Sequence, residues 1–333
     1  MLKIGIIGAG RMGSTHTANL KSVAGTEVTA VYDVDQGKID AFVKETPRAK
    51  AYPNALALAQ SADVDFVLIA SPTHCHIEGI KAVMTTAKPI FCEKPLCRTA
   101  EQLADLAPLI TNYPSLFAIG FVRRYSAGVV KMRELLQAGK IGKMLCFEVH
   151  VMLGGFRRMP GDWFADYALS GGATLDMLAH HADLVNHLVG EPEAIAANAL
   201  MLNPANGLPA DYIGASVRCR NGVVGTMQSS WLRCGPNGTS MTVYGTEGAL
   251  RLSDQAGLTF YTPGKEEAVA LDEKTVTDVQ GLKGGTYGQE MAVLVDCVLN
   301  HKKPWAGAAE AIASQTFCLA MMKSAETGKM VTL

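Results

Sequence analysis

Neither sign of charge dominates this sequence: 30 Lys and Arg face 31 Asp and Glu, for a formal net charge of −1. That balance supplies no electrostatic footprint for nucleic acid or for an anionic membrane surface. No apolar run approaches the ~20 residues that span a bilayer. A strand-like run begins at Lys3, so no signal or transit segment is expected ahead of it. The eight cysteines (Cys75, Cys92, Cys97, Cys146, Cys219, Cys234, Cys297 and Cys318) include no CxxC pair. Their scatter argues against a zinc ribbon or a thioredoxin motif and fits reduced thiols in a cytoplasmic enzyme. Internal repeats and low-complexity linkers are missing as well.

What is present is apolar material for two cores: 48% of 333 residues are hydrophobic and 18% charged. Up to about Gly120, short apolar runs alternate with amphipathic stretches. Strands are predicted at 3–7, 27–32, 65–70, 89–92 and 116–120, with helices at 11–23, 38–45, 54–60, 76–86 and 99–110. Such alternation implies a doubly wound parallel sheet. Beyond Gly120 the pattern changes to extended segments at 144–152, 193–201, 213–219, 223–230, 240–244 and 249–253, with Asn221-Gly222 as a hairpin turn. Helices are predicted at 128–138, 172–188, 289–299 and 308–327. The fold class is therefore α/β: a Rossmann domain over 1–122, then an α+β domain over 123–333 with a large, mostly antiparallel open sheet.

Gly8-Ala9-Gly10-Arg11-Met12-Gly13 follows the first strand and opens a helix. Gly8 permits a tight turn, Gly10 lets the backbone approach a pyrophosphate, and Gly13 allows close helix–strand packing. Arg11 and Met12 then lie on the first helical turn. Asp33 ends the second strand, where a carboxylate accepts both ribose hydroxyl hydrogens and repels a 2′-phosphate, so NAD is expected rather than NADP. Ser71-Pro72-Thr73-His74-Cys75-His76 follows the third apolar strand; proline stops that strand, Thr73 is expected to cap the next helix, and the turn should face the cofactor. Alternating His74 and His76 do not converge on one ion, and no metal is expected.

Glu93-Lys94-Pro95 ends another strand, where Pro95 biases Lys94 away from helical geometry. A lysine there can hydrogen-bond a substrate hydroxyl and stabilise charge developing on its oxygen, or it is a solvated surface lysine. Asp176 and His180 stand at i and i+4 on a helix, a pairing that suits general acid/base work. Asp183 and His187 repeat that spacing, and His181 adjoins His180, so spacing does not single out one pair.

These residues resemble the Gfo/Idh/MocA oxidoreductases almost end to end. The likeness runs through Gly8–Gly13, Asp33, Ser71-Pro72-Thr73 with His76, Phe91 to Leu96, Gly120 to Tyr125, Gly139 to Gly142, Ser170-Gly171-Gly172, Asp176 with His180 and Asp183, and Gly245 to Gly248. The resemblance implies a catalytic set of Lys94, Asp176 and His180, with His180 taking a hydroxyl proton, Asp176 tuning it and Lys94 orienting the hydroxyl. It places Glu93 and Val122 near the cofactor and Arg123 toward the substrate. Trp163, in the variable stretch after His150 with Phe156, is expected in the substrate pocket. It further implies oxidation of a secondary hydroxyl on a sugar, polyol or inositol-like cyclitol, and a homodimer or homotetramer formed through the C-terminal sheet. A non-catalytic NAD-binding regulator, or a relative that keeps its nucleotide for hydride shuttling or elimination, remain as alternatives.

Overall fold

The computed structural model describes residues 1–153, 163–200, 212–231, 237–271 and 285–333. They form two compact units. The first comprises Met1–Tyr125 with the described residues from Gly285 to Ile312; the second comprises the described part of 126–271 with Ala313–Leu333.

In the first unit, strands β1 (Leu2–Ile7), β2 (Thr26–Tyr32), β3 (Lys50–Ala51), β4 (Phe66–Ile69), β5 (Ile90–Glu93) and β6 (Phe117–Gly120) alternate with helices α1 (Arg11–Leu20), α2 (Gln36–Glu45), α3 (Ala55–Gln60), α4 (His76–Met84) and α5 (Ala100–Thr111). The sheet runs β3-β2-β1-β4-β5-β6, and every neighbouring pair is parallel. Ile4, Ile6, Phe66, Leu68 and Phe91 are buried because helices cover both faces, which is why these strands read as unbroken apolar runs. Asp35, Asn54 and Thr99 accept backbone N–H bonds at the starts of α2, α3 and α5, each cap stabilising its helix by about 1 kcal/mol. Strand order reverses between β1 and β4, and the crevice beyond their carboxyl ends is where such sheets bind ligands.

The second unit holds α6 (Ala127–Gln137), β7 (Met144–Met152), α7 (Tyr167–Ser170), a π-helical segment (Thr174–Leu178) running into α8 (Ala179–Leu188), then β8 (Pro192–Leu200), β9 (Tyr212–Cys219), β10 (Val224–Ser230), β11 (Gly238–Gly245), β12 (Ala249–Ser253), β13 (Gly257–Thr262) and β14 (Lys265–Ala268). After α9 (Gly285–Leu299), which belongs to the first unit, come α10 (Ala308–Thr327) and β15 (Val331–Thr332). The nine strands run β14-β13-β12-β11-β7-β10-β9-β8-β15, and only β7 with β10 is parallel. Phe147, Val149 and Val151 of β7 pack with Leu184, Val185, Phe317 and Met321 in one core. Each such side chain contributes about 1.5–3 kcal/mol on burial. Glu148 and His150 alternate onto the other, more open face.

The observed class is the one the sequence implies, but several elements differ, among them β13, β14 and β15, which are not expected from the sequence. β3 pairs only two residues at a sheet edge, too short to leave a pattern. The helix expected over 172–188 contains a π turn. α9, which a single division after residue 122 assigns to the second domain, belongs to the first: Met291, Leu294 and Val295 fill a core with Ile4, Leu20 and Phe91.

Candidate active site

The glycine loop is built as its spacing requires. Gly8 sits at φ +102°, and a Cβ there would lie 2.4 Å from the Ser71 amide nitrogen. A Cβ on Gly13 would meet the Gly8 carbonyl oxygen at 2.0 Å, so α1 rests directly on the loop. Around a Gly10 Cβ there is open space to 4 Å. Asp33 ties the loop to the end of β2: its Oδ2 accepts from Ala9 N at 2.8 Å and its Oδ1 from Asp35 N at 2.9 Å. α1 has no side-chain cap and no acid in its first turn, which leaves its first N–H groups to an anion. Arg11 is exposed there and Met12 half-buried. Across the crevice, the buried Ser71 Oγ has no hydrogen-bond partner among the described residues.

The turns beyond β4 and β5 are fastened to each other. His76 is buried, with Nδ1 2.8 Å from the Pro95 carbonyl and Nε2 2.9 Å from the Ser71 carbonyl. Burial lowers its imidazole below the ordinary value, against those carbonyl contacts. Both ring nitrogens of His76 thus face backbone carbonyls, and the single N–H of the neutral ring bonds one of them. Thr73 is buried in a short 3-10 turn and caps nothing; α4 starts without a side-chain cap, contrary to the sequence expectation. Glu93 is buried too, while Lys94, on a cis peptide to Pro95, is half-buried between buried neighbours. After β6, Val122 is buried and Arg124 bonds the Trp305 carbonyl beside a Tyr125–Trp305 stack, centroids 4.9 Å apart. Arg123 is the half-buried arginine of that pair.

In the second unit, burial differs sharply along the helix that carries the two Asp–His spacings. Among residues 171–185, only Asp176 and His180 are not buried. His181 is 2% exposed and Asp183 1%. Asp176 lies in the π turn, a feature frequent at functional sites, and Ser314 Oγ holds the Ala179 carbonyl at 2.9 Å where α8 takes over. Trp163 is half-buried and stacks on Phe164 with centroids 3.8 Å apart. Phe156 and the rest of 154–162 lie outside the described residues. No group of three or more His, Cys, Asp or Glu is placed to hold a metal among the described residues.

The profile of an oxidoreductase family with an NAD-binding Rossmann fold matches residues 2–121, and that of the Gfo/Idh/MocA C-terminal domain matches 129–251. A myo-inositol 2-dehydrogenase of Thermotoga maritima is 30% identical over 294 residues, 86% of this chain and 81% of that relative. This chain belongs to the Gfo/Idh/MocA oxidoreductase family. An inositol 2-dehydrogenase of Rhizobium meliloti is 30% identical over 223 residues, 65% of this chain and 64% of that one. A solved levoglucosan dehydrogenase in complex with NADH and levoglucosan shares the fold, with a TM-score of 0.89 at 20% identity and 99% of both chains covered. As in the Gfo/Idh/MocA family at large, the Rossmann unit binds NAD. The residues fit it: the open space at Gly10 and the uncapped α1 suit a pyrophosphate, and Asp33 suits an unphosphorylated ribose.

Sequence reasoning missed a buried polar group in this Gfo/Idh/MocA Rossmann unit. His16 on α1, fully buried, donates from Nε2 to Glu93 Oε1 at 2.6 Å. Glu290 on α9 is fully buried, and neither carboxyl oxygen has a partner among the described residues. Burial, then the charge of Glu93, pushes its carboxyl well above the usual range, and burial with both acids pushes Tyr287 up to about 12. Helical spacing was the available signal: His16 shares the inward face of α1 with Gly13, Thr17 and Leu20.

The raised carboxyl fixes a pH dependence. Its stabilising contribution is complete below the ordinary carboxyl value and is lost as pH rises through the raised folded value. Glu290→Gln, an isostere of the protonated acid, is expected to match wild type near pH 4.5 and exceed it at pH 8. The gain is read as Tm, about 2–4 °C for each kcal/mol.

Proposed function

We propose that this chain oxidises a secondary hydroxyl of a polyol, sugar or cyclitol, with Lys94, Asp176 and His180 as the acid–base group. The observation that carries it is the selective emergence of Asp176 and His180 from an otherwise buried helical stretch. Bound NAD⁺ supplies the hydride acceptor for the carbinol hydrogen. Lys94 Nζ donates a hydrogen bond to the substrate oxygen and stabilises charge developing on it. A ring nitrogen of His180 takes the hydroxyl proton, and the Asp176 carboxylate favours the resulting imidazolium. Arg123 and Trp163 complete the substrate contacts.

Support comes from three directions: the glycine loop and Asp33, the half-buried lysine at the end of β5, and relatives named as inositol 2-dehydrogenases. The open face of the nine-stranded sheet, with Glu148, His150, Ser216 and Thr226 outward, is the surface through which copies would associate.

A panel of polyols, aldoses and inositols, followed by absorbance of reduced nicotinamide, tests the reading. Turnover is expected with NAD⁺, and kcat/KM with NADP⁺ at least about 10-fold lower, because Asp33 repels the 2′-phosphate. No turnover with any alcohol, or a preference for NADP⁺, contradicts it.

A further inference from the structure

We propose that His16 is a positioning residue for Lys94: the His16–Glu93 pair ties the lysine-bearing turn to the helix that starts at the dinucleotide loop. The inference rests on the reaction proposed above only for its kinetic consequence. Its structural part stands on contacts within the first unit.

The chain of contacts is short. Gly13 seats α1 on the Gly8 carbonyl, and His16 follows less than one turn later on the inward face. His16 Nε2 donates to Glu93 Oε1 at 2.6 Å, with side-chain exposures of 0% and 8%. The second carboxyl oxygen, Oε2, accepts the Lys94 backbone N–H at 3.1 Å. Both partners are walled in. The His16 ring is edge-on to Phe91 at 5.3 Å and to Tyr287 at 5.8 Å. Gly120 at the end of β6 leaves room for the carboxylate, since a Cβ there would lie 3.0 Å from Oε2.

Charge arrangement singles out Glu93 as the acid that holds the turn. Burial would raise its carboxyl, but the His16 bond and the charges of His16, Lys94 and His76 outweigh burial and hold it below the usual value. Glu290, facing from α9, goes the other way. A buried polar pair is a poor source of stability compared with an apolar pair of the same shape. What this pair adds is geometry: one carboxylate, gripped from the cofactor helix, fixes the backbone from which Lys94 projects.

The test compares His16→Leu with His16→Gln, whose amide reproduces a donor near the Nε2 position, using two readouts. In nucleotide-free protein, hydrogen exchange of the Lys94 amide is expected to speed up by about 10-fold or more in His16→Leu, with amides of β1 unchanged. His16→Gln should restore slow exchange. In the loaded enzyme, kcat for alcohol oxidation should fall about 10- to 100-fold in His16→Leu, with KM for NAD⁺ nearly constant, and should recover in His16→Gln. If His16→Leu does not fold, His16→Asn, whose shorter amide does not reach Glu93 Oε1, replaces it in the comparison with His16→Gln, with the same two readouts and the same expected and overturning results. Unchanged Lys94 exchange in the leucine variant, or identical behaviour of the leucine and glutamine variants, would overturn the proposal. A wild-type protein inactive on every alcohol counts against the reaction, not against the exchange result.

Discussion

Replacing His180 with alanine is expected to lower kcat for alcohol oxidation by about 100- to 10,000-fold, the usual contribution of a positioned general base. Affinity for NADH, read by fluorescence titration, should be nearly unchanged, because the glycine loop and Asp33 belong to the other unit. His181→Ala is the discriminating partner. His181 is buried at 2% exposure, with Nδ1 3.4 Å from the Met177 carbonyl, so its loss should lower Tm while turnover per folded molecule persists. A His181 variant that loses catalysis while His180→Ala retains it would reverse the assignment.

The second large effect concerns the dinucleotide loop, where two glycines that look alike in sequence should fail differently. Gly13→Ala brings a Cβ to within 2.0 Å of a backbone oxygen that cannot retreat, so the expected result is a destabilised Rossmann unit. Gly10 has open space where its Cβ would project, and its φ of −78° suits any residue. Gly10→Val should therefore fold with a near-native Tm and still lose NADH affinity by about 100-fold or more. Its side chain would occupy the pyrophosphate's place and remove charge-assisted bonds to the helix N-terminus. Native affinity in Gly10→Val would move the nucleotide elsewhere.

Much of this was legible in the sequence for a physical reason. Parallel strands buried on both faces read as apolar runs, and Asn54 and Thr99 mark helix starts by their capping oxygens. Elements that hide are those without a local pattern. β3 is two exposed residues at an edge, and β14, Lys265–Ala268, is exposed throughout, so neither leaves an alternation. The π turn at Thr174–Leu178 shifts the helix by an inserted residue that period-based reading does not register. The return of α9 to the first unit is a long-range event, set by which core its apolar face completes.

The candidate site divides in the same way. Lys94 and the Asp176–His180 spacing are visible as motifs, yet only burial separates His180 from His181 and Arg123 from Arg124. His76 shows in the sequence only as a histidine in a turn expected to face the cofactor; that both its ring nitrogens lie at backbone carbonyls appears only in three dimensions. His16 and Glu290 do not stand out in the sequence because polar residues on amphipathic helices are usually solvated, and burial of such groups shows only in three dimensions.

The most direct measurement is a crystal structure of the chain with NADH and a turnover-competent polyol. Lys94 Nζ and a ring nitrogen of His180 are expected within about 2.6–3.2 Å of one substrate hydroxyl, with its carbinol carbon facing the nicotinamide. A substrate bound with either side chain turned to bulk solvent in every copy would contradict the assignment and leave an NAD-binding oxidoreductase whose proton acceptor lies elsewhere.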